Sequence, residues 1–148
     1  MSFSDSDPPT PPSTTPADCP ILVVDDDPAI LRGIGRTLEE LGYPVTVFSH
    51  PQDVLDALPH KGLALMISDR DMPDIDGIDL VREVLESVPD LAVIMLTGAP
   101  TARSAADSLR LGIVEYLQKP VSMEFLEEAV RMALRVRSGN ILRREDGG

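Results

Sequence analysis

Ile21-Leu22-Val23-Val24-Asp25-Asp26-Asp27-Pro28 sets an unbroken apolar run directly against three carboxylates and a proline. A run this short, half of it valine, predicts a strand buried on both faces, the pattern of a parallel sheet rather than of an antiparallel one with a wet side. The aspartates stop the strand, and Pro28, which has no N–H to lose, opens a helix. Ile30, Leu31, Ile34, Leu38 and Leu41 then recur at helical spacing until Gly42 marks the stop. Asp27 stands immediately before Pro28, so it is read as the N-cap of this helix and not as a third metal ligand.

The same unit recurs down the chain. Further strands are predicted at 45–48, 63–68, 91–96 and 113–117. Helices are predicted at 51–58, 77–88, 102–111 and 122–137, the last capped by Ser122. Val54, Leu55 and Leu58 mark the inner side of the first of these, and Ile78, Val81, Leu85 and Val88 that of the next. Five strands alternating with five helices predict an α/β fold with a doubly wound parallel sheet, covered on both faces. In such sheets the working crevice lies beyond the carboxyl ends of the strands. Those ends carry Asp25 and Asp26, Asp69, Thr97 and, just after the fifth strand, Lys119. The second strand ends in Phe48-Ser49 and adds nothing comparable.

Outside 21–137 the composition changes. Residues 1–20 are rich in Pro, Ser and Thr and hold too little apolar surface to offset their ordering entropy, so they are read as a disordered leader. Residues 138–148 read as a flexible tail or linker. The net charge of −12 and the scatter of the thirteen basic residues exclude a broad nucleic-acid-binding surface, which needs clustered Lys and Arg. No apolar run approaches the roughly 20 residues that cross a bilayer, and no basic segment leads into an apolar one. Cys19 is the only cysteine, an inert thiol beside the leader that suits a reducing cytoplasm. His50 and His60 flank the short second helix without a partner motif and are read as surface residues.

The opening segment has three companions: Ser-Asp-Arg-Asp-Met-Pro-Asp-Ile-Asp-Gly at 68–77, Ile-Met-Leu-Thr-Gly at 94–98 and Tyr-Leu-Gln-Lys-Pro at 116–120. With them the chain resembles the receiver domain of two-component response regulators, from about residue 21 to residue 137. The resemblance implies a flavodoxin-like, CheY-like sheet of order 2-1-3-4-5. It implies that Asp69, four residues before Pro73, accepts a phosphoryl group from a histidine kinase or phosphotransfer protein. It further implies a Mg2+ site, with Mn2+ as a substitute, made by Asp26 directly, Asp25 through a water, Asp69 and the backbone carbonyl of Asp71. Thr97 and Lys119 are implied to bind phosphoryl oxygens, Tyr116 to be the aromatic switch, and Lys119–Pro120 to be a cis peptide. A cytoplasmic signalling domain that catalyses only its own phosphorylation and dephosphorylation follows, with a homodimer through the fourth helix, fifth strand and fifth helix as a possible output.

These residue types make chemical sense without the family. Magnesium prefers oxygen ligands in octahedral array, which carboxylates and a carbonyl supply. Carboxylates about 5 Å apart repel by roughly 3 kcal/mol per pair at an effective dielectric near 20. An acidic pocket of this kind is therefore strained until a cation enters. Asp74 and Asp76 are assigned to the loop and the next helix start, not to the metal. Arg70 places a cation beside the pocket mouth, with no sign assigned to its effect. Two alternatives are a degenerate receiver used for docking or dimerisation, and a phosphatase like the haloacid dehalogenases, suggested by Asp69-Arg70-Asp71. In the latter class the nucleophile follows the first strand, whereas Asp69 follows the third. No DNA-binding, cyclic-nucleotide or kinase domain is read after Arg137, which leaves a stand-alone regulator or part of a longer protein.

Overall fold

The computed structural model describes residues 15–58, 62–98 and 111–146. The apolar runs form five parallel strands, β1 (Ile21–Val24), β2 (Val45–Phe48), β3 (Leu65–Asp69), β4 (Ala92–Thr97) and β5 (Glu115–Gln118). They lie in the order β2-β1-β3-β4-β5. Among the described residues the α-helices are α1 (Pro28–Glu40), α2 (Pro51–Asp56), α3 (Gly77–Ser87) and α4 (Met123–Asp146). The helix predicted at 102–111 lies, but for Leu111, outside the described residues. No helix among them is long and apolar enough to cross a membrane.

Side chains alternate across β1 and so divide the core in two. Ile21 and Val23 join Leu31, Ile34 and Leu38 of α1 and Leu126, Val130 and Ala133 of α4. Leu22 and Val24 join Val54 of α2 and Ile78, Val81 and Val84 of α3 on the other face. Each large aliphatic chain buried this way contributes about 2 kcal/mol. The fully apolar reading holds for β1, β3 and β4, which are buried along their whole length. The outer strands β2 and β5 are only partly covered, because each has a neighbour on one side alone.

Against the sequence expectation β3, β4, β5, α2 and α3 shift at their ends by a residue or two, and the two ends of the fold differ more. Pro16–Asp18 form a 3-10 turn, and Cys19 enters the core beside Ile21 and Tyr43. Order thus begins inside the segment read as a leader. Gly42 takes φ +98°, a backbone conformation that favours glycine, and Pro16 packs beside it. Residues 1–14 lie outside the described residues. At the other end α4 does not stop near Arg137 but runs to Asp146, through the segment read as a tail. Ser138-Gly139-Asn140 looks like a stop, yet Ile141-Leu142-Arg143-Arg144-Glu145 are better helix formers, and extending a helix costs far less than starting one.

Because β1 lies between β2 and β3, the chain leaves the sheet centre first to one side and then to the other. That reversal opens a crevice beyond the carboxyl ends of β1 and β3. Asp25 and Asp26 stand at one lip and Asp69 at the other.

Candidate functional site

The three consecutive aspartates after β1 have three different fates. Asp25 is wholly buried, and its Oδ1 accepts from the Asp27 N–H at 2.9 Å. Asp26 is exposed at the rim. Asp27 turns away and accepts from the Ala29 N–H at 2.9 Å, capping α1 as its position before Pro28 predicts. One carboxylate oxygen from each of Asp25, Asp26 and Asp69 falls within 4.8 Å of the others.

Asp69 ends β3 and is 1% exposed. Its Oδ1 accepts from the Asp71 N–H at 2.9 Å and lies 3.3 Å from the Lys119 ammonium. The same ammonium is 2.9 Å from Asp25 Oδ2, so one cation bridges the two buried carboxylates. Lys119 is held by its own N–H, which donates to the Thr97 carbonyl at 2.8 Å, and the Lys119–Pro120 peptide is cis. Thr97 closes β4, buried, and its hydroxyl donates to Asp71 Oδ2 at 3.1 Å. Four strand ends thus deliver their polar groups to one place. Tyr116 stands further back. It pairs in register with Met95 and packs, half-buried, against the core on the α2–α3 face.

Burial pushes the Asp69 carboxyl up to about 6, against the pull of the Asp71 N–H; Asp25 raises it further and Lys119 lowers it. Burial opposes the charge on Lys119, but the Asp25 and Asp69 carboxylates outweigh it and hold the ammonium above its ordinary range. One ammonium faces three carboxylates, so the pocket carries an excess of negative charge with hard oxygen donors at its centre. Asp25 Oδ2 is buried against the Lys119 ammonium, and a carboxylate oxygen so placed keeps a further lone pair that a cation can share. That donor set suits magnesium or another hard divalent ion.

Two features escape a reading of the sequence. Gly77 opens α3 directly beneath the site, where a Cβ would run into the Asp69 carbonyl oxygen, with the Arg70 Cα at 2.7 Å and Met95 Cε at 2.8 Å. Its N–H donates to the Arg70 carbonyl at 3.0 Å. The run of Asp and Gly at 74–77 signals a turn, but not this crossing. The Asp71 side chain is the second, since its partners lie on another strand. Asp76 serves the helix start as expected, accepting from the Ile78 N–H at 2.8 Å. The same oxygen lies 3.7 Å from Arg70 Nε.

A doubly wound α/β fold with an acidic pocket at its strand ends is shared with known signalling domains. The family model for the response regulator receiver domain matches residues 21–131. The transcriptional regulatory protein FixJ of Bradyrhizobium diazoefficiens is 32% identical over 115 residues, covering 78% of this chain and 56% of FixJ. The tetrathionate response regulatory protein TtrR of Salmonella typhimurium is 34% identical over 125 residues, covering 84% of this chain and 61% of TtrR. A CheY-like receiver domain from Methanospirillum hungatei superposes with a TM-score of 0.76 at 30% identity, covering 82% of this chain and 98% of that one. The chain belongs to the response regulator receiver domain family of two-component systems. It spans little more than half the length of FixJ and TtrR.

Proposed function

We propose that Asp69 accepts a phosphoryl group from a histidine kinase or phosphotransfer protein, and that the resulting charge shifts Thr97, Lys119 and Tyr116. The observation that carries this reading is the Lys119 ammonium set between Asp25 and Asp69, beside the Thr97 strand end. Asp69 Oδ1 is engaged by Lys119 and the Asp71 N–H, which leaves Oδ2 to attack phosphorus. The bond from phosphorus to the donor nitrogen breaks as the bond to the carboxylate oxygen forms, giving an acyl phosphate. Lys119 neutralises one oxygen of the transferred group, and the Thr97 hydroxyl donates to another. Asp25, Asp26, Asp69 and the Asp71 carbonyl would hold Mg2+, or Mn2+ in its place. The cation supplies positive charge where the phosphoryl oxygens gather.

Incubation with acetyl phosphate and magnesium is expected to add one phosphoryl group, read by intact mass, and chelator is expected to prevent it. Asp69→Asn stays unlabelled. Labelling retained in that variant would remove Asp69 from the role. The alternative of an Asp-x-Asp phosphatase loses ground on order, since Asp69 ends the third strand and not the first.

The chain's acidic surface supports a domain that touches protein partners rather than nucleic acid, in the cytoplasm. A homodimer is the second element of the proposal. Phe125, Met132 and Val136 are 66%, 51% and 40% exposed and share one stripe of α4. The fourth helix of the expected interface lies outside the described residues. The double variant Phe125→Glu, Met132→Glu is expected to stay monomeric in sedimentation after phosphorylation, where the wild type associates. A wild type that remains monomeric when labelled would exclude the dimer.

A further inference from the structure

The Asp71 side chain holds a position that its expected metal role does not require. Its Oδ2 accepts from both the Thr97 hydroxyl at 3.1 Å and the Gly98 N–H at 3.2 Å. Thr97 ends β4 and Gly98 follows it, and Thr97 is the hydroxyl assigned above to a phosphoryl oxygen. The main chain of the same residue meanwhile donates to Asp69 Oδ1. Asp71 is itself exposed, so its carboxylate can turn out to water without leaving a buried charge.

We infer that Asp71 is a resident anion: its carboxylate occupies the Thr97 hydroxyl and the adjacent Gly98 N–H, which a phosphoryl oxygen on Asp69 would take over, and it must release them before the switch engages. This rests on the reading of Asp69 as phosphoryl acceptor. One carboxylate oxygen and one phosphoryl oxygen compete for the same hydroxyl and N–H, and two anions cannot share them without repulsion. Loading Asp69 therefore exchanges a pair of charge-assisted hydrogen bonds for a similar pair and drives Asp71 into solvent. The exchange lowers the apparent affinity for the phosphoryl group and keeps unloaded Thr97 pinned in one rotamer.

The test is a titration with beryllofluoride, a phosphoryl analogue, in excess magnesium, followed by calorimetry and by the Gly98 amide resonance. Asp71→Ala is expected to bind about tenfold tighter than wild type, the scale of one lost charge-assisted bond. Asp71→Asn, which keeps an acceptor oxygen but loses the charge, is expected to stay within about threefold of wild type. In analogue-free protein the Gly98 amide resonance is expected to move in Asp71→Ala and much less in Asp71→Asn. On a Thr97→Val background the gain from Asp71→Ala should shrink. Unchanged or weaker binding by Asp71→Ala overturns the inference, as does an Asn variant that matches Ala, since charge alone would then account for the gain. Asp69→Asn serves as the separate control: beryllofluoride binding there would sink the Asp69 assignment whatever Asp71 does.

Discussion

Gly77→Ala is expected to cost about 3 kcal/mol and to lower the melting temperature by roughly 10 °C. The added methyl meets backbone, the Asp69 carbonyl and the Arg70 Cα at 2.7 Å, and backbone at a strand end cannot rotate away as a side chain can. Relief comes only by moving α3 outward or by pushing the end of β3, which carries Asp69. The damage therefore reaches the site, and Gly77→Ala should also lose much of its response to magnesium. Gly33→Ala is the matched control. A Cβ at that exposed helical position meets nothing within 4 Å, and alanine gains helix propensity over glycine. Gly33→Ala is expected to melt at or slightly above wild type. Thermal unfolding by circular dichroism decides it, and a Gly77→Ala melt within about 2 °C of wild type would refute the crowding argument.

The acidic pocket should make stability depend on both pH and magnesium. Asp69 titrates near 3.8 in an unfolded chain and about 6 in the folded one. Between those values the folded protein keeps a proton that the unfolded chain has released. Stability from this group is thus complete below about 4 and is lost as pH rises through about 6. A shift of this size is worth up to about 3 kcal/mol. In chelator at pH 7.5, Asp69→Asn is expected to melt roughly 6 °C or more above wild type, and the gap should close below pH 4. Magnesium also stabilises the folded state but competes with the proton for Asp69. At ten times its Kd it adds about 1.4 kcal/mol to the wild type, and it adds little to Asp69→Asn or to either protein near pH 5. Equal wild-type melting in magnesium and in chelator would count against the cation site.

Much of this was open to a reader of the sequence, for a physical reason. A parallel sheet turns each strand into a run of Val, Ile and Leu, and the residue that breaks the run is the one delivered to the crevice. Asp25, Asp69 and Thr97 could be found by asking where apolar runs stop, and Pro28 separated Asp27 from its neighbours. What stayed hidden depends on residues far apart in the chain. The Asp71 side chain meets Thr97 and Gly98 on another strand, and a local pattern carries no trace of that. Gly77 reads as a helix start, and only the crossing of α3 over β3 shows why a methyl is excluded. Pro16 and Cys19 were obscured by the polar and proline-rich composition around them. The length of α4 was missed because Ser138-Gly139-Asn140 outweighed the better helix formers beyond it.

Among the described residues β2 and β5 each pair on one side alone, and their outer sides are not defended equally. β5 begins with Glu115 and ends with Gln118, so an approaching strand meets charge and polarity. β2 reads Val-Thr-Val-Phe, uncharged, with Val47 almost half exposed. Its protection against edge-to-edge association lies in its four-residue length and in Arg36 and Glu39 of α1, which flank Val45 and Val47 across a shallow groove. The carboxylates of the candidate site, Asp25, Asp26 and Asp69, do not line that groove. The exposed edge β2 and the candidate site at the ends of β1, β3, β4 and β5 belong to different strands, so a substitution at Val47 leaves the acidic pocket in place.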